Sequence, residues 1–236
     1  MRWVAVWALL FAATPSMAQQ TESVTVNADA LLGVWKISRP NYVGKKGLFG
    51  DWAFGPARDF FCHMERKGDD LAMPCLQGGE ASVTFRGDKI HLAGGIVLAR
   101  LVIDGVMQPG NSFTGHAALK LVGISTEDSG ISSGARLDLS TPPPDTGGMA
   151  QVLRELVAQG IAHTAHDDKV KDSAALSADL GSLQTAVYLG QQDRVGGPGR
   201  TDKGFYTVYA LEFDKGERVC GLHRRDDGVL DAFQCS

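Results

Sequence analysis

Hydrophobic and polar positions alternate with a period of two along most of this chain, in short runs broken by turn residues. A first strand candidate, ALLGVWKISRP, is closed by Pro40, and a Gly-rich stretch, YVGKKGLFGDWAFGP, follows it. Segments then recur about every ten residues: DFFCHMER, ASVTFR, KIHLA, IVLARLVID, SFTGHAALKLVGI and ARLDLS. Gly87-Asp88, Gly94-Gly95 and Pro109-Gly110-Asn111 supply turns between them. Short alternating strands at this spacing predict an antiparallel barrel or sandwich.

The period changes once. After TPPPD, residues 141–145, the side chains Met149, Val152, Leu153, Leu156, Val157 and Ile161 fall on one face of a helix that Asp145 or Thr146 can cap. Its polar face lacks the basic residues of a membrane-surface helix, so packing on a sheet is expected. Four strands end the chain, LQTAVYLG, GFYTVYALEF, ERVCGLHR and VLDAFQC, with Tyr188, Phe205, Tyr209 and Phe213 assigned to sheet packing. The expected fold is mainly β, an antiparallel β-barrel or sandwich with an amphipathic helix inserted before the last strands. Residues 29–140 would form the barrel-like body, 141–181 the Pro-rich turn and helical segment, and 182–236 strands of the same body.

Residues 1–18, MRWVAVWALLFAATPSMA, combine a basic Arg2, an apolar run from Trp3 to Ala13 and a small-x-small end at Ser16-Met17-Ala18. They read as a secretory signal peptide, because the run is shorter than the roughly 20 residues of a bilayer span. Residues 19–28 then form a polar, flexible N-terminal segment. The remaining 218 residues carry 22 Lys plus Arg (23 less Arg2) against 27 Asp plus Glu. That balance speaks against a nucleic-acid partner, and no transmembrane segment remains after cleavage. The expected location is periplasmic or secreted.

Four cysteines in an exported chain point to two disulfides. CGLHRRDDGVLDAFQC, residues 220–235, has its midpoint between Asp227 and Gly228, a pair favouring a two-residue hairpin turn. In that register Asp226 faces Val229 and Cys220 faces Cys235. CHMERKGDDLAMPC, residues 62–75, has its midpoint between Gly68 and Asp69 and sets Cys62 opposite Cys75. Pro74 cannot donate to a ladder and predicts an edge strand or a bulge there. Directly opposed residues stand within disulfide reach, and each loop of about 15 residues would stabilise by about 3 kcal/mol. A four-cysteine metal site would need a Cys-x2-4-Cys knuckle, which is missing. This reading leaves His223 and the adjacent acids on the surface. Both segments carry a basic pair before the turn, Arg66-Lys67 and Arg224-Arg225, followed by an acidic pair, Asp69-Asp70 and Asp226-Asp227, through internal duplication or as two solutions to one problem.

Other patterns bear on chemistry. In HTAHDD, residues 163–168, helical spacing puts His163, His166 and Asp167 on one face as candidate metal ligands, against the plainer reading of a solvated helix end. GISSG, residues 130–134, matches a nucleophile elbow, but a polar loop leading to a strand does not hold Ser132 in the strand-to-helix turn an elbow needs. Arg86-Gly87-Asp88 is explained by the turn it occupies. GGPG, residues 196–199, lacks the Lys-Ser/Thr ending of a phosphate loop, and no cofactor is implied.

Leu32-Gly33-Val34-Trp35 opens the first strand with a Gly-x-Trp, which resembles the start of lipocalin-like (calycin) barrels: Gly33 permits close approach and Trp35 plugs one barrel end. The order LLGVW, CHMER, PCL, IHLAGGIVLARL is similar to the bacterial serralysin-type metalloprotease inhibitor family, over about residues 29–120. That resemblance implies a periplasmic eight-stranded barrel with a disulfide near its first strands. It also implies that the segment ahead of the Gly-x-Trp strand enters the protease cleft, its leading residues approaching the catalytic zinc. By position these are Gln19, Gln20, Thr21, Glu22 and Ser23. The leading expectation is an exported, non-catalytic binding protein of protease-inhibitor type, whose partner is another secreted or envelope protein. The alternatives are a lipocalin-like carrier of a small hydrophobic ligand and a metal-dependent enzyme using His163, His166 and Asp167.

Overall fold

A computed structural model of the chain describes residues 27–39, 58–77, 79–96, 99–121, 124–125, 130–145, 153, 178–194, 204–224 and 230–236. Eight strands close into an antiparallel barrel: β1 (Gly33–Arg39), β2 (Arg58–Lys67), β3 (Asp70–Cys75), β4 (Gly79–Arg86), β5 (Lys89–Ile96), β6 (Ala99–Gln108), β7 (Ser112–Leu121) and β9 (Ile131–Arg136). Successive strands pair from β1 to β7, β9 pairs with β7, and β9 returns to β1. A two-residue strand, β8 (Ile124–Ser125), adds to the end of β7. Closure leaves the barrel without unpaired edges.

Every second side chain points inward. Trp35 and Ile37 of β1, Cys62 and Met64 of β2, and Leu71 and Met73 of β3 meet Ile90, Leu92, Ile103, Met107 and Phe113 in one cluster. These side chains fill the interior.

The last four strands do not join the barrel. β10 (Leu183–Asp193), β11 (Phe205–Phe213), β12 (Gly216–Arg224) and β13 (Leu230–Cys235) form a separate antiparallel sheet. One face of it, through Tyr206, Val208, Ala210 and Val219, packs on Val34 of β1, Phe61 of β2 and Leu76. β2 is therefore apolar on both faces, which accounts for the unbroken run FFCHM where strict alternation would place polar residues. The opposite face gathers Tyr209, Leu211, Phe213, Leu222 and Phe233 around Leu153 and Leu180. Leu153, helical and fully buried, is the one member of the expected apolar helix face among the described residues; Met149, Val152, Leu156, Val157 and Ile161 lie outside them. Tyr209 donates from its hydroxyl to Asp145 Oδ1 at 3.0 Å.

A buried amide also fastens the sheet to the barrel. Gln192 of β10, 2% exposed, accepts from the Phe61 N–H at 2.9 Å and donates through Nε2 to the Leu76 carbonyl at 2.8 Å. Just beyond Cys62 and Cys75 the Leu76 N–H still reaches the Phe61 carbonyl, at 2.9 Å. Gln192 thus supplies what a peptide group would supply to the remaining two backbone atoms, which would otherwise be buried without partners.

Both disulfides form, Cys62 with Cys75 and Cys220 with Cys235. The first hairpin keeps its expected register throughout, Lys67 opposite Asp70, with Gly68 at φ 67° in the turn. The second keeps it from Cys220 to His223 and then slips, so that Arg224 pairs with Leu230. The expected turn itself, with Asp226, Asp227, Gly228 and Val229, lies outside the described residues.

Three local expectations need correction. Gly94-Gly95 is not a turn but part of β5, paired with Leu101 and Arg100. Gly94 is there because a Cβ would stand 2.9 Å from that of Ala81 on β4, so close strand approach, not chain reversal, selects it. ARLDLS is not the closing strand; β9 begins earlier and takes in ISSG. The alternating Leu137 and Leu139 lie beyond β9 and pack against the second sheet. His223 is half-buried, within 3.2 Å of Arg194 Nη1 and edge-on to Tyr206, where a surface position was expected.

The β1–β2 pair also carries an acid-sensitive contact. Lys36 Nζ lies 2.8 Å from Asp59 Oδ2, and Ser38 donates to Asp59 Oδ1 at 2.7 Å. Burial opposes the charge of Asp59, but these hydrogen bonds and the ammonium outweigh it and hold the carboxyl below its usual range. A carboxyl with a lower pKa folded than unfolded adds stability above its unfolded value, and that stability is lost as pH falls through the folded one. Urea unfolding at about pH 5 and about pH 3 should show that loss, since an unfolded Asp titrates near about 3.9. Lys36→Met should make the drop smaller.

Candidate functional site

The chain enters the barrel through a short 3-10 turn, Ala28–Leu31, capped by Asn27, whose side chain accepts from the Asp29 N–H. Four contacts fix this turn to one rim. Asp29 pairs with Arg66 at 2.6 Å beside the β2–β3 turn, and Asn111 of the β6–β7 turn donates to the Ala30 carbonyl at 3.3 Å. Trp35 Nε1 donates to the Leu31 carbonyl at 2.7 Å, and Arg136 Nε to the Leu32 carbonyl at 2.6 Å. Trp35 is fully buried and stacks on Phe113 at 6.1 Å between ring centroids. Gly33, at φ 113°, lies under the Arg136 guanidinium, where a Cβ would come within 3.3 Å of Nε. Gln19, Gln20, Thr21, Glu22 and Ser23 precede this anchored turn and lie outside the described residues.

A second place is an open groove of about 860 Å³ on the outer wall of β4 to β9. The wall's register sets Thr84, His91, Asp104, His116 and Ile131 side by side on five strands. His91 Nδ1 lies 2.6 Å from Asp104 Oδ1. The neighbouring row is Arg86, Lys89, Val106 and Thr114. Sequence reasoning passed over these residues because each is an ordinary outward position on its own strand. Only the register, not the spacing along the chain, brings them together.

Ser132 sits on β9, fully buried and facing the interior, rather than in the loop expected, and its hydroxyl has no hydrogen-bond partner among the described residues. His63, 8% exposed, lies at the seam between Glu65 at 3.7 Å and Glu217 of β12 at 3.5 Å, with Arg218 3.2 Å from Glu65. These charges link the barrel to the sheet. His163, His166 and Asp167 lie outside the described residues, and among the described ones no group of three or more His, Cys, Asp or Glu is arranged to hold a metal ion. Comparison of the chain with protein-family models, with curated proteins and with solved structures finds no match to any of them.

Proposed function

We propose that this is an exported, non-catalytic binding protein of the protease-inhibitor type, which engages a secreted or envelope protease through the segment ahead of β1, Gln19 to Ser23. The observation that carries the reading is the fastening of the Ala28–Leu31 turn to the rim by Asp29, Ala30, Leu31 and Leu32. A segment that leaves a rigid base loses less freedom on entering a cleft than one tethered to a loose loop, and that difference favours affinity. Two disulfides are what an oxidising compartment produces, in keeping with export. No helix among the described residues is long and apolar enough to cross a membrane.

The filled interior favours this reading over a carrier, because a carried ligand needs a hollow lined by apolar side chains. The test is inhibition and complex formation by the mature chain against serralysin-type metalloproteases and other secreted proteases. Stoichiometric inhibition of a metalloprotease is expected; neither inhibition nor complex with any of them would end the proposal.

A further inference from the structure

We infer that the outer groove of β4 to β9 is a binding site for a small amphiphilic anion, a carboxylate head with an aliphatic tail. The cationic end is Arg86 and Lys89, which face each other directly across β4 and β5. Like charges so placed repel, and neither side chain has an ion-pair or hydrogen-bond partner among the described residues. Asp88, in the turn between them, does not line the groove, and the carboxylate that does, Asp104, is engaged by His91. A protein of net charge −4 thus presents two unneutralised cations in its groove. An anion bound there would turn their repulsion into shared attraction.

The tail is placed by the apolar side chains. Three large hydrophobic residues are exposed among the described ones, and two of them, Val106 at 40% and Ile131 at 68%, line this groove. Val106 stands next to Lys89 in the register, and Ile131 lies three strands from β5, about 14 Å away at the usual strand spacing. An extended chain with its carboxylate between Arg86 and Lys89 crosses Val106 and ends against Ile131. Thr84, Thr114, His91 and His116 flank this path. The second sheet packs on β1 and β2, and none of the groove's lining residues takes part in that packing.

The test uses the mature chain and decanoate, with acetate and 1-octanol as probes of head and tail alone. Calorimetry should show saturable decanoate binding, at least tenfold tighter than either control. Signals of the His91 and His116 rings should move with the same isotherm. Arg86→Gln with Lys89→Gln should weaken decanoate at least tenfold, and Ile131→Ser about threefold, with unchanged thermal melting because all three positions are exposed. Three results would each overturn the inference: no saturable binding, equal affinity for the double variant, or shifts at Trp35 inside the barrel in place of the imidazoles. Protease inhibition is scored separately, since this site shares no residue with the segment ahead of β1.

Discussion

Gln192→Ala is expected to lower the free energy of unfolding by about 2–6 kcal/mol, although the side chain it removes is polar. It would leave the Phe61 N–H and the Leu76 carbonyl buried without partners, and each such group costs about 1–3 kcal/mol. Gln192→Glu separates the two bonds: its carboxylate can still accept from Phe61 but has no N–H for Leu76, and a buried charge adds its own penalty. Gln191→Ala, at the exposed neighbouring position, should stay within about 0.5 kcal/mol. Urea unfolding supplies the energies, and hydrogen exchange should show the Phe61 amide losing protection first. An alanine variant as stable as the parent would mean that the sheet is held to the barrel without any contribution from Gln192.

Trp35→Ala should cost about 3–5 kcal/mol, the range for truncating a large buried aromatic. The loss has two parts. The ring vacates the barrel end beside Phe113, and the Leu31 carbonyl loses its donor. Trp35→Phe isolates them, restoring most of the packing but not the hydrogen bond. The alanine variant should also loosen the Ala28–Leu31 turn, visible as faster exchange at Ala30 and Leu32, whose amides bond to Asn27 and Asp29. If Trp35→Ala melts like the parent, the plug does not hold that end together.

Much of this fold could be read from the chain because the physics involved is local. Period-two alternation marks strands wherever one face meets the interior and the other meets water, as in β4, whose Val83 is buried between exposed Ser82 and Thr84. The cysteine pairs were legible for the same reason, since a hairpin's register follows from its turn. The reading failed where a residue answers to a partner far away in sequence. Gly94 looks like a turn until Ala81 is seen against it, and Gln192 looks like an ordinary polar strand residue until Phe61 and Leu76, 131 and 116 positions away, are placed beside it. The separation of the last four strands into their own sheet was hidden too, because alternation identifies a strand without naming its neighbour. The groove was invisible for that reason: Arg86, Lys89, Val106 and Ile131 share a surface only through the closure of β6, β7 and β9.

The central claim is that recognition resides in the segment rooted at the Ala28–Leu31 turn. Its most direct test compares the mature chain with one beginning at Asn27 for binding to a metalloprotease inactivated by substitution of its catalytic base, with the cleft left open, by calorimetry at one pH and salt concentration. We predict that the shortened chain melts as the parent does yet binds at least a hundredfold more weakly. Equal affinity of the two chains would contradict the claim and move recognition onto the folded body.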